Sequence, residues 1–216
     1  MPEDFDHVRK GYMESRCEAA VKALDKNWFD ARWFDNPELV VAEVLKEIPK
    51  GSRIGAGGSV TLQEIGLLEE LEARGDEVVY HQPGQEPEES MRVRKEAVTC
   101  SYFLSSANAV TLEGELVNRD GICNRLTGMM FGPETAFIIA GANKIVQDLP
   151  EAISRIRNVA APANARRLGI DSPCVSRGKC VDCREHSNIC RVTSIMHKQP
   201  MWTQVKVFLV ADQLGL

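Results

Sequence analysis

Four of the seven cysteines fall in one short window, as Cys174-x5-Cys180-x2-Cys183-x6-Cys190. A C-x2-C pair lets two thiolates reach one metal from a single turn, and two flanking cysteines complete a four-sulfur set. The spacing differs from the ferredoxin run, so the pattern does not fix a cluster type. A bound metal or cluster is expected; small buried thiols or a CxxC redox pair are the alternative. His186 lies inside the window and reads as a surface residue. Cys17, Cys100 and Cys123 are scattered among apolar or helical residues, and an odd count suits no secreted disulfide framework. Between Ala152 and Lys198 nine Lys or Arg stand against three Asp or Glu, a balance of +6, so the remainder carries −11 of the net −5. A basic surround offsets the charge of clustered thiolates. Arg155, Arg157, Arg166 and Arg167 read equally as a solvated helix face.

Three further segments carry polar chemistry. Ile54 to Thr61 (IGAGGSVT) runs from a strand into a helix, and Gly57, Gly58 and Ser59 can bring backbone N–H groups and a hydroxyl to an anion. Thr61 and Glu64 have capping-box spacing. The glycine spacing is neither the dinucleotide fingerprint nor the Walker loop, so a plain turn and an anion or carboxylate pocket both fit. Ser105 to Arg125 places Asn108, Asn118, Asp120, Asn124 and Arg125 between apolar strands. These are either ligand contacts at strand ends or turn chemistry. In an enzyme, Asp120 or Glu113 could serve as general base or nucleophile. Lys144, in AGANK after an apolar run, faces the same crevice or solvent.

The elements that must position these groups follow from periodicity. Phe5, Val8, Tyr12, Ala19 and Ala23 form a stripe that predicts an N-terminal helix, and Pro37 opens a second over Glu38 to Glu47 with Leu39, Val40, Val44, Leu45 and Ile48 inward. Trp28, Phe29, Trp33 and Phe34 form an aromatic patch, in the core or at a homodimer contact. Strands are expected at Ser52–Ala56, Glu77–His81, Ser101–Ser105, Thr135–Ala140 and Val205–Val210, and helices at Leu62–Ala73 and Glu88–Thr99. Ala109–Leu112 and Glu115–Val117 flank a hairpin turn, and Asp148 with Glu151 caps a later helix. The alternation predicts an α/β protein with a mainly parallel sheet flanked by helices. The expected organisation is one domain over 1–216, with an N-terminal helical extension (1–50) and a cysteine-rich loop (171–191). At 216 residues and 24.0 kDa the chain can bury a sizeable core. No apolar run reaches the roughly 20 residues that span a bilayer. The acidic, polar start MPEDFDHVRK is no secretory signal, so a cytoplasmic protein is expected. The net charge argues against nucleic-acid binding.

The segments Gly55 to Leu67 (GAGGSVTLQEIGL), Ser105 to Arg125 (SSANAVTLEGELVNRDGICNR) and Phe131 to Leu168 together resemble the LUD domain, a family named for lactate-utilisation proteins. The resemblance runs from about residue 8 to the C-terminus. It implies a fold of the ribose-phosphate isomerase and CoA-transferase group. It also implies an accessory or electron-transfer role in oxidising lactate or a related 2-hydroxy acid, beside iron–sulfur subunits. In that redox context an iron–sulfur cluster on Cys174, Cys180, Cys183 and Cys190 is expected before zinc. A small anionic ligand is expected at Gly57, Gly58, Ser59, Asn108, Asn118, Asp120, Asn124 and Lys144. Ser106 to Asn124 is also similar to a loop of sugar-phosphate isomerases, without that loop's Lys; a sugar-phosphate isomerase, a CoA-transferase-like enzyme and a non-catalytic zinc-stabilised module are the alternatives.

Overall fold

The computed structural model describes residues 5–82 and 84–216; the first four residues of the acidic N-terminus lie outside them. In chain order its elements are α1 (Asp6–Lys26), β1 (Asp30–Phe34), α2 (Pro37–Glu47), β2 (Arg53–Ala56), α3 (Val60–Glu64), α4 (Leu67–Arg74), β3 (Glu77–Val79), α5 (Pro87–Ala97), β4 (Tyr102–Ser105), β5 (Ala109–Thr111), β6 (Leu116–Asp120), α6 (Asn124–Met130), β7 (Thr135–Gly141), β8 (Ile145–Val146), α7 (Leu149–Arg155), α8 (Ala161–Arg167), α9 (Pro173–Arg177), β9 (Val192–Met196) and β10 (Gln204–Val210). A single π-helical turn, Ile156–Ala160, joins α7 to α8.

Six strands form a parallel sheet in the order β1-β10-β7-β4-β2-β3. Its centre is β7 and β10, whose near-continuous apolar runs are those of strands covered on both faces. Phe137 and Phe208, on neighbouring strands, meet edge to face at 5.6 Å. A second, mixed sheet has the order β8-β5-β6-β9, and β5 and β6 are the antiparallel hairpin expected from the turn between them. From β2 the chain steps outward to β3, then returns past β2 to β4 and β7. The direction of winding therefore reverses between β2 and β4, where the Gly57 N–H donates to the Leu104 carbonyl at 3.0 Å. Ligands of open parallel sheets bind outside the strand ends at such a reversal.

Several expectations change. Residues 30–34, expected within a helical extension, form β1, an edge strand paired with β10. Its mixed sequence DARWF is held by partners distant in sequence; Lys206, for example, bridges Asp30 at 2.9 Å. The α1 stripe is not its buried face: Phe5, Val8 and Tyr12 are exposed, whereas Cys17, Ala20 and Leu24 are buried. Leu39 on α2 is exposed, and Val40, Val44 and Ile48 point inward. The aromatic patch splits, with Phe29 buried and Trp28 65% exposed beneath the Lys198 ammonium. The helix expected over 62–73 breaks at Gly66, which has φ +65° and separates α3 from α4. Ser59, not Thr61, caps α3, accepting from the Leu62 N–H at 3.3 Å. Asp148 does cap α7, accepting from the Glu151 N–H at 2.9 Å.

Gly55 fixes how closely α5 lies on the sheet. A Cβ there would fall 1.9 Å from the Ala97 carbonyl oxygen, a backbone atom that no rotamer change can move. Gly55→Ala must therefore push α5 off β2. We expect a loss of about 1–3 kcal/mol in urea unfolding; an unchanged midpoint would show that α5 is free to retreat.

Candidate functional site

At the switch point the loops after β2, β4 and β7 surround a cavity of about 210 Å³. Gly58 and Ser59 enter from β2, Ser106 and Asn108 from β4, Asp120 and Asn124 from the β6–α6 connection, and Lys144 from the turn after β7. Most of the polar residues singled out in sequence thus face one cleft. Gly57 and Asn118 lie behind its wall, and Glu113 does not reach it. Glu113 sits exposed in the β5–β6 turn, where its carbonyl accepts from the Asn27 side chain at 2.9 Å.

Arg125 organises this wall. Its guanidinium makes five contacts: Asp120 Oδ2 at 3.2 Å, the Ser106 carbonyl and Asn118 Oδ1 at 3.0 Å, Asn108 Oδ1 at 3.2 Å and the Arg119 carbonyl at 3.0 Å. All the donor capacity of a guanidinium is consumed by the protein. Asn108 and Asn118 are joined as well, since Asn118 Oδ1 accepts from the Asn108 N–H and Asn108 Oδ1 from the Arg119 N–H. Asp120 accepts from the Ile122 and Cys123 N–H groups at 3.0 Å with its other oxygen. That is an Asx turn clamped by an arginine, the turn chemistry that the Asn/Asp-rich loop allowed. Gly57 makes room for this clamp, because a Cβ there would lie 2.9 Å from Arg125 Cγ. Asn118 Nδ2 and His81 Nδ1 are buried without a protein partner.

The open space of the cleft is lined by cations from distant segments: Arg94 on α5, Arg119 on β6, Arg167 on α8 and Lys144. Among the described residues none of the four is ion-paired with a carboxylate. Burial holds Arg94 and Arg167 below the ordinary arginine value, Asp120 opposing this at Arg94. Lys144 Nζ donates to Thr61 Oγ1 at 2.8 Å and Ser106 Oγ at 3.0 Å. Burial, with Arg155 and Arg125 adding to it and Glu64 opposing, brings its pKa down to about 7. Arg155 itself is turned to backbone, donating to the Asn143 and Asn108 carbonyls.

A second cavity, of about 250 Å³, is lined by Cys174, Cys180, Cys183 and Cys190. No three His, Cys, Asp or Glu side chains among the described residues are arranged to hold a metal ion. All four cysteines are half-buried and free. Burial raises the Cys183 and Cys190 pKa values; Glu185 and then the neighbouring thiols add to it at Cys183, and at Cys190 Arg119 opposes it while the neighbouring thiols add. Arg157 and Arg191 stand around this cavity, so part of the basic helix face does surround the thiols. In the loop 171–191 only Ser172 is buried; the rest of the segment contributes nothing to the core. Arg119, Ala161 and Cys190 line both cavities, and the π turn lies between α7 and α8 at the same place.

These features define an α/β protein with a cation-rich cleft at the switch point of a parallel sheet, backed by a four-cysteine cavity. The LUD domain family model matches residues 17–210, and the chain belongs to that family. Membership places it among lactate-utilisation-related proteins in general. The fold is similar to the crystal structure of a DUF162 family protein from Deinococcus radiodurans at 1.70 Å resolution, with TM-score 0.50 and 13% identity, covering 93% of this chain and 98% of that one. No curated protein sequence matches the chain. No helix among the described residues is long and apolar enough to cross a membrane.

Sequence reasoning missed Arg94, Arg119 and His81 as cleft residues, and read Arg167 only as part of a helix face. Nothing in local pattern marks an arginine on an amphipathic helix as inward-facing at a distant loop.

Proposed function

We propose that this protein is an accessory or electron-transfer component in the oxidation of lactate or a related 2-hydroxy acid. It binds the small carboxylate in the switch-point cleft and an iron–sulfur cluster on Cys174, Cys180, Cys183 and Cys190. One observation carries the reading: the two cavities share the wall formed by Arg119, Ala161 and Cys190. A bound carboxylate supplies the negative charge that Arg94, Arg119 and Arg167 lack. The donor set of the second cavity fits a cluster: four soft thiols around one space, in a loop without a core of its own. The redox setting that the family resemblance implies is what places a cluster before zinc in this reading. When bound, such a cluster stores or passes single electrons. This chain's own residues hold the acid beside it, Arg119 touching both spaces. Iron–sulfur subunits of a lactate-oxidising assembly are the proposed electron partners, and the cytoplasm is the proposed compartment. Asp120 is clamped by Arg125 and Glu113 lies outside the cleft, so neither of the two carboxylates that the isomerase and CoA-transferase alternatives call on is free at the site.

The test is anaerobic purification followed by iron and sulfide analysis, visible spectroscopy and titration with lactate and pyruvate. The expected result is stoichiometric iron and sulfide, with a visible spectrum that shifts when either acid binds. A colourless, iron-free protein would refute the cluster, and a spectrum indifferent to saturating acid would refute the shared wall as a functional contact.

A further inference from the structure

We propose that Lys144 captures the carbonyl group of a small 2-oxo acid as an imine at the floor of the cleft. The proposal rests on the reading of that cleft as a site for a small carboxylate. Its basis is geometric. The Lys144 amine is buried, lines the cleft and is bonded to two neutral hydroxyls, Thr61 Oγ1 at 2.8 Å and Ser106 Oγ at 3.0 Å. A buried ammonium ordinarily has a carboxylate within reach, because an uncompensated charge out of water is costly. Here, among the described residues, no carboxylate is ion-paired with it, and the charged groups acting on it are Arg155, Arg125 and, in the opposite sense, Glu64. A lysine that is desolvated beside other cations is the kind that serves as an amine nucleophile near neutral pH. Gly215 packs directly against the amine: a Cβ there would lie 2.9 Å from Nζ, so only a glycine leaves the amine its place.

The step balances without an oxidant or a second substrate. The nitrogen lone pair attacks C2 of the oxo acid, and the carbon–nitrogen bond forms as the carbonyl π bond opens onto oxygen. A proton passes from nitrogen to that oxygen; the Ser106 and Thr61 hydroxyls, 3.3 Å apart, stand beside the amine to relay it. The carbinolamine takes up one further proton, loses water and becomes the protonated imine; hydrolysis reverses every step. The acid's carboxylate is left facing the unpaired arginines. A 2-hydroxy acid has no carbonyl and binds without capture, so the site separates the two oxidation levels of one carbon skeleton by chemistry rather than by shape.

The experiment incubates the full chain with pyruvate at pH 7, reduces with borohydride and maps the adduct by peptide mass spectrometry. The expected result is one 1-carboxyethyl group on Lys144, formed at least about tenfold faster than on the exposed Lys46, which is ion-paired with Glu43. Lys144→Arg should abolish the adduct, and mapping on the wild-type chain answers the question if that variant does not fold. Labelling confined to surface lysines, or no labelling, overturns the proposal. Calorimetry with lactate and pyruvate run alongside separates the two readings. Binding of both acids without an adduct overturns capture and leaves the carboxylate cleft standing, whereas no binding of either overturns both.

Discussion

Arg125→Met should lower the free energy of unfolding by about 3–5 kcal/mol, the usual result of removing one partner from a buried, hydrogen-bonded ion pair. The side chains of Arg125 and Asp120 are 12% and 13% exposed. Five acceptors each lose a donor at once; Asn118 Oδ1 and Asn108 Oδ1 keep only the Asn108 and Arg119 N–H groups, and the Asp120 carboxylate is left buried with only the Ile122 and Cys123 N–H groups. Unpartnered buried acceptors each lose free energy that no solvent contact restores. The same guanidinium joins the loop after β4 to β6, so the cleft wall loosens and acid binding by calorimetry should disappear with it. Arg125→Lys keeps the charge but not the fork, and should recover a minor part of the loss. Adding Asp120→Asn to Arg125→Met should recover more, because the stranded charge is gone. Urea unfolding of these proteins together with Asp120→Asn alone completes the cycle that measures the coupling. A loss below about 1 kcal/mol for Arg125→Met would mean that the five contacts are incidental.

Cys180→Ser and Cys183→Ser should each abolish stoichiometric iron and the visible spectrum, an all-or-none effect because a cluster with a missing thiolate is not retained. Cys123→Ser, outside the second cavity, should leave both intact. The consequence extends to folding. The segment 171–191 has only Ser172 buried and is tied down by few bonds, among them the Cys180 N–H to the Arg157 carbonyl at 3.1 Å and Asn188 Nδ2 to the Cys183 carbonyl at 2.8 Å. Metal-binding free energy in such a segment is folding free energy. Limited proteolysis within 177–191 should therefore accelerate in both variants and in chelated wild-type protein, while the main sheet resists. Unchanged iron in either variant, or equal protease resistance with and without metal, would sink the four-cysteine reading. Retention of zinc in place of iron would establish the zinc-stabilised alternative.

How much of this was legible depended on range in sequence. The strands at 52–56, 101–105, 135–140 and 205–210, and the hairpin over 109–117, were visible because their cause is local: apolar runs bounded by turn residues. β1 was not, since DARWF carries no alternation and its pairing is to β10, far along the chain. The buried face of α1 was misread for a related reason. An exposed Phe5, Val8 and Tyr12 look in sequence like an inward stripe, and which face is covered depends on what the sheet presents to it.

At the site the division is the same. Residue types determined that the loops after β2 and β4 carry hydroxyls, amides and glycines, and that four cysteines stand at metal-ligand spacing. Tertiary structure decided that Ser59 and Asn124 share a cleft, that Asp120 and Arg125 are mutually engaged, and that Arg94, Arg119 and Arg167 converge on the same space. The physical reason is that composition and periodicity are set by neighbours within a few residues, whereas a cluster of charge is set by strand order. The reversal of winding between β2 and β4 brings together loops from four separate stretches of chain, and no local signal encodes that meeting.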